Sequence, residues 1–246
     1  MPCVASLEEF HQAIGEFALA DLGLVIEPAA LAAGRQSLDS AGLLLLGETH
    51  GVRENPLLIR SLMQAFGLTS LALEWDECLA PNIEAFLASG TLADHRWLWS
   101  GDGRITAGHL AVLAERAAAG PLQLILFDGV IGADWSWSQQ DEAMAERLLA
   151  ASPPGTRTLA VAGGYHTPTA PLELGVPMGA WLARQRPGVR EIQISYGGGR
   201  FYNLGPCQFD RRISPQQPIR LHQHDGELVL DLPVASEAVV PQRPPQ

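Results

Sequence analysis

The chain has 246 residues, a length that allows one large domain or one domain with a small appendage. Hydrophobic residues make up 47% and charged residues 17%, which is typical of a folded globular protein and excludes a disordered chain. The net charge of -11 excludes broad binding to nucleic-acid phosphates, and the 16 basic residues are all arginine, which excludes mechanisms that need a lysine side chain.

Cysteine usage and apolar runs bear on the cellular compartment. The 3 cysteines are widely spaced, which indicates free thiols in a reducing compartment rather than a disulfide framework or a zinc ribbon. Residues 1–21 carry glutamates where a signal peptide needs a basic start and an apolar run. The longest apolar runs, such as 43–46 and 122–127, are far shorter than the roughly 20 residues of a membrane-spanning helix. We therefore expect a cytoplasmic protein that does not cross a membrane.

Apolar periodicity along the chain predicts alternating helices and strands. Residues 7–20 have helical spacing, with Ser6 and Glu9 placed as a capping box. Short apolar runs that suit strands buried on both faces then alternate with helical segments. The predicted strands are 43–46, 70–74, 122–127, 158–162 and 191–196, and the predicted helices are 56–66, 81–87, 107–119, 139–151 and 178–184. This order predicts a three-layer α/β fold, a mainly parallel sheet flanked by helices.

The pattern changes after Gly205, where proline and glutamine become frequent. We interpret residues 1–205 as a single α/β domain with an N-terminal helix, and residues 206–246 as a C-terminal extension. Within the extension, residues 228–232 are predicted to form one edge strand and residues 241–246 a disordered tail.

Polar side chains follow the predicted strands at their carboxyl ends, where open parallel sheets bind their ligands. Gly-Glu-Thr-His-Gly follows the first strand at 47–51, and Gly-Gly-Tyr-His follows the fourth at 163–166. The second strand ends at Glu74, the third at Asp128 and the fifth at Tyr196. Because these ends lie on one edge of the sheet, we expect two histidines and three carboxylates to meet there: His50, His166, Glu48, Glu74 and Asp128.

These residue types suit acid–base catalysis, because imidazole exchanges a proton near neutral pH while a neighbouring carboxylate fixes its tautomer. Arg53 and Asn55, in the same loop as His50, could hold a carboxylate or carbonyl of the substrate, and Tyr165 beside His166 is a third candidate for substrate binding. The histidines and glutamates are equally acceptable as ligands for zinc, manganese or iron, and sequence spacing does not separate the two interpretations.

Aromatic residues and a further histidine lie near the same edge of the sheet. Four tryptophans stand in connections beyond the second and third strands: Trp97, Trp99, Trp135 and Trp137. They either line an apolar ligand pocket or pack loops onto the core. His109, in a predicted helix, is expected in packing or in support of the site.

Three segments resemble a known family. They are Leu-Gly-Glu-Thr-His-Gly at 46–51, an apolar strand that ends in Glu74, and Gly-Gly-Tyr-His at 163–166 followed by Gly-Val-Pro at 175–177. Together they are similar to the erythromycin esterase and ChaN-like superfamily, which includes TraB and TIKI proteins. The resemblance covers about residues 42–196. It implies that His50 and His166 are paired site histidines, with Glu48 and Glu74 as their acidic companions.

The branches of this superfamily imply different chemistry. In the esterase branch a histidine activates water to open a macrolactone, and in the TIKI branch similar residues bind a metal for peptide cleavage. The ChaN branch is associated with haem or iron. The chain is considerably shorter than the macrolide esterases, whose extra helical region covers their substrate.

The leading hypothesis is a hydrolase that acts on an ester, lactone or amide in a small-molecule or peptide substrate. His50 is then the general base towards water, oriented by Glu74 or Glu48. His166 stabilises the intermediate or protonates the leaving group, and Asp128 is an accessory carboxylate. The alternative is a haem- or metal-binding protein of the ChaN-like type without hydrolytic turnover. A third hypothesis is a structural role in which the site is inactive.

Overall fold

The helices and strands alternate through most of the computed structural model, which describes residues 3–129, 134–210 and 213–243. Its helices are α1 (Leu7–Glu16), α2 (Pro28–Ala41), α3 (Asn55–Phe66), α4 (Ala80–Ser89), α5 (Ala107–Ala119), α6 (Trp137–Ala151) and α7 (Met178–Gln185). Its strands are β1 (Cys3–Val4), β2 (Val25–Ile26), β3 (Leu43–Glu48), β4 (Ser70–Asp76), β5 (Gln123–Asp128), β6 (Thr158–Gly163), β7 (Arg190–Tyr196), β8 (Gly199–Tyr202), β9 (Pro206–Phe209), β10 (Arg220–His224), β11 (Glu227–Leu232) and β12 (Val240–Pro241).

A central sheet of eight strands has the order β2-β10-β11-β7-β3-β6-β4-β5. Neighbouring strands are parallel, except for the antiparallel pair β10 and β11. Strand β3 lies at the middle, paired with β6 on one side and β7 on the other. The predicted α/β fold with a mainly parallel sheet is confirmed.

The apolar run of β3 shows why the sheet is covered on both faces. Leu44 and Leu46 pack into one core together with residues of α2, α3 and α5. Leu43 and Leu45 point to the opposite face and pack with α6 and α7. All four leucines are fully buried. Burial of each such side chain contributes about 1.5–3 kcal/mol, so the helices are held to both faces by the same strand.

The helix boundaries follow capping signals in the sequence. The predicted capping box of Ser6 and Glu9 is present, and α1 ends at Glu16, four residues before the predicted end. Helix α2 was not predicted; it begins at Pro28, whose fixed φ suits a first helical turn, and it is followed by Gly42 with a left-handed φ of 74°. In the parts of the chain that the structure describes, no helix has the length and apolarity needed to cross a bilayer.

The C-terminal segment differs from its prediction. Residues 228–232 do form a strand, but β11 lies between β10 and β7 instead of at an edge. The overlooked feature is a tight hairpin turn at Asp225 and Gly226, both with positive φ, which lets β10 pair antiparallel beside β11 in the same sheet. The predicted disordered tail begins within β12, which pairs with β1, and residues 244–246 lie outside the described ranges.

Candidate active site

The carboxyl ends of β3, β4, β6 and β7 surround a cavity of about 660 Å³. Its walls are mostly charged, polar or glycine residues: Gly47, Glu48, Thr49, His50, Glu74, Arg104, Gly163, Gly164, Tyr165, His166, Gln193, Ile194, Tyr196 and Asn203. We call this cavity the histidine cavity. It lies at the carboxyl edge of the sheet, where the sequence analysis expected the polar side chains to meet.

The first histidine is supported by a carboxylate from its own strand. Glu48 is the last residue of β3, and its Oε1 accepts a hydrogen bond of 3.1 Å from His50 Nδ1. The chain turns sharply after His50 at Gly51, which has a φ of +76°. A Cβ at that position would lie 1.7 Å from the backbone oxygen of Tyr202, so only glycine fits there.

A buried hydrogen-bond network fixes the loop between Glu48 and His50. Asn55 donates to the backbone oxygen of Thr49 at 2.9 Å. The Tyr196 hydroxyl accepts from the Thr49 amide at 2.9 Å and donates to the Asn55 side-chain oxygen at 3.0 Å. Burial raises the pKa of Tyr196, so the phenol keeps the proton that it donates. Asn55 was predicted to bind substrate; the structure buries it completely and places it as a support for this loop.

The second histidine is supported by a carboxylate from a distant helix. His166 follows β6 in a turn closed by its amide and the Gly163 oxygen at 2.8 Å. Its Nδ1 lies 2.9 and 3.0 Å from the two carboxylate oxygens of Asp141 on α6. Asp141 has no exposed surface, and it also accepts from the Met178 amide at 2.7 Å. The ring of Trp137 stacks on the imidazole at a centroid distance of 5.7 Å.

Glu74 stands between the two imidazoles. Its Oε2 is 3.8 Å from His50 Nε2, and its Oε1 is 3.7 Å from His166 Nε2. Both distances are too long for hydrogen bonds, so the attraction between these groups is electrostatic. Oε2 instead accepts from the Gly163 amide at 2.6 Å, and Oε1 lies 3.3 Å from Arg104 Nη1. The two Nε2 atoms are therefore directed towards one carboxylate without being bonded to it.

Arg104 connects Glu74 with Asp128. Its Nη1 donates to Asp128 Oδ2 at 2.7 Å, and its Nε lies 2.9 Å from Asp102 Oδ2. Asp128, predicted as an accessory carboxylate, is thus linked to Glu74 through this arginine. Burial raises the pKa of Asp128, against the opposing effect of Arg104.

The protonation of the site follows from burial and neighbouring charges. Burial alone would lower the pKa of His50, but its hydrogen bond to Glu48 and the charges of Glu74 and Glu48 outweigh that effect and raise it. The pKa of His166 is raised in the same way, against burial, by Asp141 and Glu74. Burial would raise the pKa of Glu74, yet Arg104 and the two histidines hold it below its ordinary value. The site therefore favours an ionised Glu74 beside histidines that bind protons readily.

The remaining predicted site residues have different surroundings. Tyr165 lines the histidine cavity and is 71% exposed. The guanidinium of Arg53 lies over the ring of Phe17, 5.3 Å from its centroid, and Arg53 is not among the residues that line the cavity. Sequence reasoning did not identify Asp141 or Arg104. Asp141 had a signal, because it occupies the apolar stripe of α6 one helical turn before Met144; Arg104, in a loop, had none.

A second cavity, of about 550 Å³, adjoins the first and shares Arg104 with it. Its apolar wall is made by Trp75, Leu79, Trp97 and Ile105, and Asp128 lies at its edge. Among the four tryptophans predicted near the site, Trp97 thus lines a cavity and Trp137 packs on His166. Trp99 donates to Asp94 and carries Arg243 over its ring, and Trp135 is 44% exposed.

His50, His166, Glu48 and Glu74 were also predicted as candidate ligands of a metal ion or haem. Both Nδ1 atoms are turned to carboxylates, as they commonly are in metal-binding histidines, while the Glu74 oxygens are engaged by Gly163 and Arg104. Within residues 3–129, 134–210 and 213–243, no three His, Cys, Asp or Glu side chains form a set that could hold a metal. The polar lining of the histidine cavity is equally unlike the apolar slot that a haem macrocycle needs.

The fold and this site define an α/β protein with a polar cavity at the carboxyl ends of parallel strands. No family model and no curated protein matches the chain in sequence. Solved structures do match in fold. A protein described as a succinoglycan biosynthesis protein is 10% identical, with a TM-score of 0.63 over 95% of this chain and 98% of its own. A Bacillus cereus protein is 11% identical, with a TM-score of 0.57 over 96% of this chain and 100% of its own.

Bacterial toxins also match over part of their length. RRSP, a MARTX toxin effector domain from Vibrio vulnificus, is 17% identical, with a TM-score of 0.46 over 75% of this chain and 38% of its own. A structure described as bacterial protein toxins is 19% identical, with a TM-score of 0.47 over 76% of this chain, and this chain spans 39% of its length. Similarity of fold is established by the two structures with TM-scores of 0.63 and 0.57.

Proposed function

We propose that this protein is a hydrolase of an ester, lactone or amide, related to the erythromycin esterase and ChaN-like superfamily. The observation that carries the proposal is the paired construction of the site. Each imidazole is held at Nδ1 by its own carboxylate, and each presents Nε2 beside the shared carboxylate of Glu74. In the proposed reaction one of these oriented imidazoles is neutral and acts as the base, and the other is protonated and acts as the acid on the same substrate.

The first chemical step uses His50 as the base. Its Nδ1 proton is held by Glu48, so in the neutral ring Nε2 has a free lone pair that removes a proton from water. The water oxygen forms a bond to the carbonyl carbon, and the carbonyl oxygen takes the negative charge. The new imidazolium of His50 is stabilised by Glu48 and by Glu74 at 3.8 Å.

The second step uses His166 as the acid. Asp141 and Glu74 raise its pKa, which favours the imidazolium, and in the proposed reaction this charge faces the negative charge that develops on the substrate. When the tetrahedral intermediate collapses, the carbon–oxygen or carbon–nitrogen bond breaks and His166 Nε2 gives its proton to the leaving group. An acid and an alcohol or amine result, and the proton now on His50 returns to His166 through solvent.

The adjoining cavity indicates which substituents the substrate carries. The histidine cavity is polar and suits the carbonyl and its leaving atom, whereas the cavity lined by Trp75, Leu79, Trp97 and Ile105 suits an apolar group. Because the two cavities meet at Arg104, an apolar substituent close to the scissile carbonyl can occupy the second while the carbonyl lies in the first.

The proposal is tested with hydrolysis assays on aryl esters, a lactone and an amide. We expect His50→Gln and His166→Gln each to lower kcat/KM by roughly 10²–10⁴-fold, the range of a lost general acid or base. His222→Gln is the matched control, because His222 pairs with Asp231 in the β10–β11 hairpin, away from the cavity. No turnover by the wild type on any of these substrates, or full activity of the two site variants, contradicts the proposal.

Chelation separates this mechanism from the metal-dependent alternative. The oxygens of Glu74 are engaged by Gly163 and Arg104, so the hydrolytic rate is expected to be unchanged after treatment with EDTA. A rate that falls with EDTA and recovers on addition of zinc or manganese would require the steps above to be rewritten around the ion.

A further inference from the structure

One buried oxygen in the site lacks a hydrogen-bond partner from the protein. Glu48 is 5% exposed, and its Oε1 is bonded to His50. Its Oε2 is buried and has no partner in the parts of the chain that the structure describes. A buried carboxylate oxygen without a donor is costly, so a donor is expected close to it.

A small cavity lies beside this carboxylate, and a third histidine lines it. The cavity has a volume of about 10 Å³, close to one water-sized sphere. Its charged and titratable walls are Glu48, His50, Glu74, Arg104 and His109. His109 is on the first turn of α5 and is 4% exposed, and the proposed reaction does not use it.

The surroundings of His109 fix its ring and its tautomer. The ring stands at 87° to Trp75, with a centroid distance of 5.9 Å. The Thr106 hydroxyl oxygen accepts from the His109 amide at 3.2 Å and lies 3.0 Å from Nδ1. The hydroxyl proton is then available to Nδ1, which leaves the ring proton on Nε2. Burial lowers the pKa of His109, so the ring is neutral and offers one N–H donor.

We infer that His109 is a positioning residue for Glu48 and acts through one water molecule held in the small cavity. The water accepts from His109 Nε2 and donates to Glu48 Oε2. Glu48 then has both oxygens satisfied and keeps the Nδ1 proton of His50 in place, which leaves Nε2 of His50 free to act as the base. The inference rests on the proposed hydrolase for its effect on rate, and on the geometry of Glu48 and His109 for its effect on the pKa of His50.

The test compares His109→Leu, which has no donor, with His109→Gln, whose amide can donate into the cavity. The pKa of His50 is measured by NMR titration of its ring proton, assigned among the 7 histidines by the loss of the signal in His50→Gln. Without the water, Glu48 loses a donor and holds the proton of His50 more tightly. We expect the leucine variant to raise the pKa of His50 by about 0.5–1 unit and to lower kcat/KM about 10-fold.

The glutamine variant is expected to restore the wild-type titration and to keep kcat/KM within about twofold, a rescue that simple packing would not produce. His222→Leu is the control and should leave His50 unaffected. Identical titrations in wild type and His109→Leu, or equal shifts in the leucine and glutamine variants, would overturn the inference. If the leucine variant does not fold, His109→Met removes the donor in its place. The titration needs no turnover, so its outcome is independent of whether hydrolysis is found.

Discussion

The two histidines of the cavity have similar chemical support, but the chain builds that support in different ways. Glu48 reaches His50 from two residues away, at the end of the same strand. Asp141 reaches His166 from a helix 25 residues earlier in the chain. Asp141 is fully buried and accepts hydrogen bonds from His166 and Met178, whereas Glu48 Oε2 has no partner among the residues that the structure describes. We call His50 with Glu48 the His50 arm, and His166 with Asp141 the His166 arm. The His166 arm is the more rigid, which suits a group that must hold a proton in a fixed place.

Glu74, the carboxylate shared by the two histidines, is expected to have the largest effect on activity. In Glu74→Gln the negative charge between the histidines is lost, so the pKa of both imidazoles falls and the acid holds its proton less firmly. We expect kcat/KM to fall by roughly 10²–10³-fold. The amide oxygen of Gln can still accept from Gly163, so the fold should persist in circular dichroism.

Glu115→Gln is the matched control for that substitution, since Glu115 pairs with Arg60 between two helices outside the cavity. It should keep wild-type kinetics. A Glu74→Gln variant as active as this control would show that the histidines do not depend on the carboxylate between them.

The two arms should differ in stability. Asp141→Asn leaves one carbonyl oxygen for two donors, the His166 ring and the Met178 amide, so we expect the free energy of unfolding to fall by about 2 kcal/mol. Glu48→Gln keeps an oxygen for His50 and changes the oxygen that has no protein partner, so we expect a loss under about 1 kcal/mol. Urea unfolding at one pH compares them; equal losses would mean that the arms are equally rigid.

The same contrast explains how much of the site the sequence predicted. Short apolar runs marked β3, β4, β5, β6 and β7, and in a parallel sheet their carboxyl ends must share an edge. His50, Glu48, Glu74 and His166 could therefore be placed together without knowing any distance. When two partners lie within two residues of each other, predicting the strand is enough to predict their contact. Glu48 and His50 are such a pair.

Partners from other elements depend on packing, which the sequence specifies only indirectly. Asp141 is flanked by Gln140 and Glu142, and only the rotation of α6 turns it inward. A polar residue on the same stripe as Met144 and Leu148 was the available sign. Arg104 lies in a loop, and its contacts with three carboxylates follow from where β4 and β5 end. The Asp225-Gly226 turn could have been found, because Asp-Gly between apolar runs is a strong hairpin signal.

The charge on the two arms also makes stability depend on pH. Both histidines have a pKa above the ordinary 6.5, so their contribution is fully present below that pH and is lost as the pH rises through the raised values. We expect the free energy of unfolding to decline as the pH rises across this window. The double variant His50→Gln, His166→Gln should give a flatter profile in urea titrations. A wild-type profile that rises over the same range would mean that burial, rather than the carboxylates, dominates both groups.

The smallest expected effect concerns Arg53, in the loop that follows His50. Arg53 follows His50 closely in the sequence, yet its guanidinium packs on Phe17, at 5.3 Å, and Arg53 is absent from the lining of the histidine cavity. We expect Arg53→Ala to lower the free energy of unfolding by about 0.5–1 kcal/mol, because this cation–π contact joins two half-buried side chains, with kcat/KM within about twofold of wild type. Phe17→Leu removes the same contact and also loses packing against the core, so the combined variant should be no less stable than Phe17→Leu alone. A large rise in KM in Arg53→Ala alone would instead indicate that Arg53 contacts the substrate.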